Sequence, residues 1–173
     1  MISAPLLLHL NLLAGGITQS VAPAEDLVIS TRVSSGTGLS VAGAGGTSLT
    51  ARSPAFLTAE GGIRLSNVPW LEVSGGFTME MEGRVSLGVL ARARAHIPSR
   101  RRISGYALTG VPLFVHPFSL LGAQVGLGAA LDVHRNVNLV AEGTATAFFA
   151  GSDLMKGSAL GKFDLALGLE IKF

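Results

Sequence analysis

The chain has no cysteine, so neither a disulfide framework nor a thiolate metal site is open to it. It has no run of about 18 uninterrupted apolar residues, which argues against a membrane-spanning helix. Only 14% of its residues are charged and the formal net charge is +2. Its one basic cluster, Arg100-Arg101-Arg102, has no aromatic platform or recognition helix beside it and reads as a solvated turn, so no nucleic-acid partner is expected. Aromatics are scarce at 6%. A Gly-x-Ser-x-Gly elbow, a phosphate loop and a His-Glu-x-x-His pair are all missing, so the sequence names no cofactor, no metal and no catalytic residue.

What is present is hydrophobicity in alternation. Apolar residues make up 48% of the 173, and 23 are glycine, which disfavours a helical bundle because each interior glycine costs roughly 0.5 to 1 kcal/mol relative to alanine. The last stretch shows the pattern most clearly. Phe163, Leu165, Leu167, Leu169, Ile171 and Phe173 alternate with Asp164, Ala166, Gly168, Glu170 and Lys172, a strand with one apolar face and one polar or small face.

The same odd-apolar parity runs back through the chain. It predicts strands over 27–45, 54–66, 70–81, 85–97, 103–115, 119–133, 138–149 and the terminal stretch, with turns at Ser66-Asn67-Val68-Pro69, Glu82-Gly83-Arg84, Pro98 to Arg102, His116-Pro117 and His134 to Val137. The fifth strand is the least regular, since Leu108 and Phe114 fall on the even face and Pro112 suggests a bulge. The connector 150–160 is the longest. At the amino-terminus, residues 1–24 read as an export signal, with an apolar core from Pro5 to Gly16 and Ala22-Pro23-Ala24 as a small-residue cleavage site. The competing reading makes residues 5–14 strand, which would carry an even-numbered barrel to ten. Residues 25–173 form the barrel domain in either case.

The expected architecture is therefore an all-β antiparallel up-and-down meander of eight strands. Its even face mixes Gly, Ser and Ala with a few spaced Arg and Glu, as the packed interior of a narrow eight-stranded barrel requires. Its odd face carries almost no ionisable group, and a closed sheet would spread it into an apolar belt too large for a soluble monomer.

With that pattern the chain resembles the small eight-stranded outer-membrane barrels of Gram-negative bacteria, the class of the OmpA transmembrane domain and OmpX. The end, Gly168-x-x-Ile171-x-Phe173, is similar to the carboxy-terminal signal read by the barrel-assembly machinery, although Ala166 stands where that signal prefers a polar residue. The aromatic girdle is thin, with Trp70, Tyr106 and Phe114 on the inward parity. The resemblance implies a monomeric protein of the bacterial outer membrane in contact with its lipids and lipopolysaccharide. It also implies that the termini and the turns near 67, 99 and 136 lie in the periplasm, with loops near 47, 83, 117 and 155 outside.

Strand pairing through the short turns sets Arg64 across from Glu72, and Glu72 across from Arg94, with Arg92 one step diagonal. This lumen network is the expected site. It would close the bore; the alternative is that it lines a narrow ion path. Glu60, Glu80 and Glu82 read as an acidic patch near the outer mouth. Two other function classes stay open: a lipid-modifying membrane enzyme, which would need His116 with a hydroxyl such as Ser119, and a soluble calycin-like barrel whose odd face points inward around an apolar ligand.

Overall fold

The computed structural model describes residues 27–173 apart from 45, 46, 66, 84, 98, 100, 101, 153 and 155–157. The amino-terminal segment 1–24, read above as signal or strand, lies outside the described residues. Period-two patterning produces strands throughout: β1 (Leu27–Ala44), β2 (Thr47–Leu65), β3 (Leu71–Glu80), β4 (Ser86–His96), β5 (Ile103–His116), β6 (Leu120–His134), β7 (Val137–Gly151) and β8 (Ser158–Lys172). Each pairs antiparallel with the next and β8 returns to β1, so the sheet closes as an eight-stranded ring. No helix among the described residues is long and apolar enough to cross a membrane.

Two boundaries depart from the sequence expectation. The predicted second strand, 54–66, begins seven residues earlier, at Thr47, because β2 stays paired with β1 beyond an irregularity. Gly36 pairs with Phe56 but Gly38 pairs with Ser53, so β2 holds one extra residue there. That bulge inverts the parity of the outer part of β2 and turns the odd residue Ser53 inward, where it is wholly buried. The connector expected over 150–160 is shorter, since β7 runs to Gly151 and β8 starts at Ser158. Trp70, assigned to the third strand, sits in the turn before it and is half exposed.

The two faces divide as a closed barrel requires. Outward lie Phe77, Leu127, Leu165 and Leu167, each between 66% and 73% exposed, while Glu72 and Arg94 are at 2% and 1%. A soluble barrel would show the opposite distribution. The calycin-like reading is thereby overturned: the apolar set forms the outer wall and cannot enclose a ligand.

Inside, packing alternates between apolar and charged. Tyr106, Leu108, Ala130 and Val140 form one buried cluster. Phe114, Leu120 and Phe148 form another near the end of the hairpin loops, with Phe118, Leu154 and Leu160 against it. The even positions of β5 that break the alternation, Leu108 and Phe114, are therefore interior filling. Tyr106 has room only because Gly128 stands opposite it. A Cβ there would overlap the Tyr106 ring, so Gly128→Ala is expected to lower stability by about 1 to 3 kcal/mol through overpacking. Urea titration of the folded barrel in detergent reads this directly, and an unchanged midpoint would contradict the contact.

Candidate functional site

The even positions of six strands converge on a buried ion-pair network. Antiparallel register sets Arg64 against Glu72 and Glu72 against Arg94. Arg64 Nη2 donates to Glu72 Oε2 at 2.8 Å and Arg94 Nη1 to Glu72 Oε1 at 3.1 Å. His96 Nε2 lies 3.2 Å from Glu72 Oε2. Arg92, the diagonal neighbour, does not reach Glu72 as its partner. It donates instead to Glu60 Oε1 at 2.6 Å, to Gln124 Oε1 at 2.9 Å and to Glu142 Oε1 at 3.3 Å.

The network extends beyond the residues that strand pairing predicts. Arg32 on β1 donates to Glu142 Oε2 at 2.5 Å, to Glu170 Oε2 at 2.7 Å and to the Tyr106 hydroxyl at 3.0 Å. The Tyr106 hydroxyl in turn donates to Glu142 Oε2 at 2.9 Å. Arg94 donates to Glu60 and, at 2.7 Å, to Ser74 Oγ. Burying this many charges is tolerable only because each is paired and hydrogen-bonded. The signal that could have found Arg32, Glu142 and Glu170 was their even parity; the sequence did not say which strands face one another across the bore.

A smaller group sits above this network. Lys162 Nζ is 2.8 Å from Glu80 Oε1, 3.5 Å from Asp164 Oδ2 and 5.1 Å from the Phe56 ring centre. Between the two groups lies a 40 Å³ cavity lined by Arg92, Gln124, Thr146 and Lys162 among others. The acidic patch expected near the outer mouth is not formed. Glu60 is buried against Arg92 and Arg94, Glu80 is held by Lys162 and Ser86, and Glu82 pairs with Arg52. The error lay in grouping them by sign: each glutamate has a cation on another strand to answer it, across the bore for Glu60 and Glu80.

His116 is exposed, and Ser119 exchanges hydrogen bonds with Ser152 across the rim. Among the described residues no group of three or more His, Asp or Glu side chains is arranged to hold a metal. At the carboxy-terminus, Gly168 pairs with Ser34 on β1. Ile171 and Phe173 point outward, and the Phe173 amide donates to the Ile29 carbonyl at 2.9 Å.

No protein-family model matches the chain, and no curated protein does. Solved structures do. The crystal structure of Neisserial surface protein A, NspA, superposes with a TM-score of 0.61 at 14% identity, over 85% of this chain and 97% of that one. The N-terminal β-barrel domain of Pseudomonas aeruginosa OprF gives 0.55 at 12% identity, over 83% of this chain and 97% of that one. Strand number, closure, an inverted distribution of apolar residues and these neighbours agree: the chain has the fold of the small eight-stranded outer-membrane β-barrels.

Proposed function

We propose that the chain is a protein of the Gram-negative outer membrane with a structural or lipid-contacting role, and that its bore is closed by the Arg/Glu network. The observation that carries the reading is the span of that network. Arg92 on β4 contacts Glu60 on β2 and Glu142 on β7, while Arg32 on β1 contacts Glu142 on β7. Side chains from strands that are not neighbours meet in the bore, and the Phe114, Leu120 and Phe148 cluster is buried near one end, which together support a closed bore. A narrow channel is the weaker reading. The belt of Phe77, Leu127, Leu165 and Leu167 supports contact with membrane lipids, lipopolysaccharide included, because water would leave that area uncompensated. Gly168, Ile171 and Phe173 support delivery by the barrel-assembly machinery, and a closed ring without a free sheet edge at its waist is consistent with a monomer.

Planar-bilayer recording tests the closed bore. The purified barrel is expected to give no resolved conductance steps in symmetric KCl. Stable unitary steps from the unmodified chain would replace this reading with that of a channel. Cell fractionation gives the companion result, recovery in the detergent-requiring outer-membrane fraction.

A further inference from the structure

The mouth at the end of the barrel that holds Leu27 and Phe173 opens into a vestibule of 360 Å³, at the small end of the range for small-molecule sites. Its lining is electrically divided. In a ring of eight, β2 stands opposite β6 and β4 opposite β8. Arg64 on β2 and His96 on β4 make one wall, whereas Asp132 on β6 and Glu170 on β8, with Lys172 beside Glu170, make the facing wall. The half-exposed Trp70 and the exposed Ile97 form an apolar lip.

Each wall also carries a buried polar atom that the protein leaves over. Glu170 is 1% exposed, its Oε2 is taken by Arg32, and its Oε1 has no hydrogen-bond partner among the described residues. The nearest cation to Oε1, Lys172 Nζ, stands 3.9 Å away. With the Asn138 amide turned so that both its ends are satisfied, Asn138 Oδ1 accepts from that ammonium at 2.7 Å and Asn138 Nδ2 donates to Asp132 Oδ1 at 2.8 Å. Across the vestibule, Arg64 spends Nη2 on Glu72 and His96, and its buried Nε is likewise without a partner. A buried acceptor and a buried donor left unpaired each cost free energy, which a ligand supplying the matching group would recover once a side-chain shift turned these occluded atoms toward the vestibule.

We propose that this vestibule binds a small zwitterion, an amino acid or short peptide with both termini free, its ammonium on the Glu170 and Asp132 wall and its carboxylate on the Arg64 and His96 wall. A ligand of one sign would answer one of the two leftover atoms and leave the other unpaired. A neutral one would leave both leftover atoms desolvated and unpaired. The apolar lip accepts a side chain. The site's chemistry stands whether or not the bore conducts and whichever compartment the mouth faces.

The test is a nuclear magnetic resonance titration of the isotope-labelled barrel in detergent micelles with alanyl-alanine. Two capped forms serve as comparison, one acetylated at its amine and one amidated at its carboxylate. The dipeptide is expected to shift the backbone amides around Arg64, His96, Asp132 and Asn138 saturably, and each cap to weaken binding about tenfold or more, since each removes a charged hydrogen bond. Arg64→Gln and Asp132→Asn, at the less buried positions of the two walls, should each weaken binding similarly in a barrel whose spectrum remains folded. Absence of saturable shifts, equal binding of the capped peptides, or unchanged affinity in both variants would overturn the proposal.

Discussion

Glu72→Ala is expected to lower the stability of the folded barrel by about 3 to 5 kcal/mol. Glu72 is 2% exposed and receives hydrogen bonds from Arg64 and Arg94, with His96 beside the same oxygen as Arg64. Without it, Arg94 keeps Glu60 and Ser74, but Arg64 is left with only the His96 ring as a described side-chain partner. The loss is large because an uncompensated guanidinium stays desolvated. The pair itself need not be strongly favourable against a hydrophobic replacement of equal volume. Glu82→Ala supplies the contrast: Glu82 pairs with Arg52, but their side chains are 48% and 66% exposed, and an exposed pair contributes about 0 to 1 kcal/mol. Equilibrium urea unfolding of both variants in lipid vesicles reads the difference. A Glu72→Ala loss below about 1 kcal/mol would contradict the load assigned to the network.

The contrast between Glu72 and Glu60 shows how much of the site can be read without coordinates. Short turns fix which residues face each other on the strands they join, and that pairing puts Arg64, Glu72 and Arg94 in a row from sequence alone, as the register has them. The same pairing extends to Glu60 and sets it across from Gly76. What it does not give is the direction a long side chain takes across the bore. The missing Cβ of Gly76 leaves space that the Glu60 stem occupies, and from there its carboxylate reaches Arg92 and Arg94. Arg32, Glu142 and Glu170 belong to β1, β7 and β8, and only β1 and β8 among these strands are joined by the ring closure. Parity assigned the three to the interior; closure decided that they meet. Parity itself fails at the bulge in β2, where one extra residue turns Ser53 inward, and proline in Ser53-Pro54 was the one local sign of it.

Leu165→Arg is expected to destabilise the barrel by about 2 to 4 kcal/mol in a lipid bilayer, whereas Val133→Arg is expected to cost about 0 to 1 kcal/mol. Both side chains point outward and are exposed, at 73% and 64%, so protein contacts predict small and equal effects, within about 0.5 kcal/mol for surface positions in water. Depth separates them. Leu165 lies midway along β8, between Gly143 on β7 and Thr37 on β1, so no bulky paired neighbour shields it and an arginine there has no nearby water to reach. Val133 lies one residue from the end of β6, beside the turn at 135–136, where a long guanidinium stem can carry its charge to the interface. Urea unfolding in vesicles should therefore resolve a gap of about 2 kcal/mol or more between the two variants. The same substitutions in a micelle, which deforms around a charge, should narrow it. Equal small losses at both positions in vesicles would mean that the apolar wall is not set in hydrocarbon, and the belt would then need a protein partner to cover it.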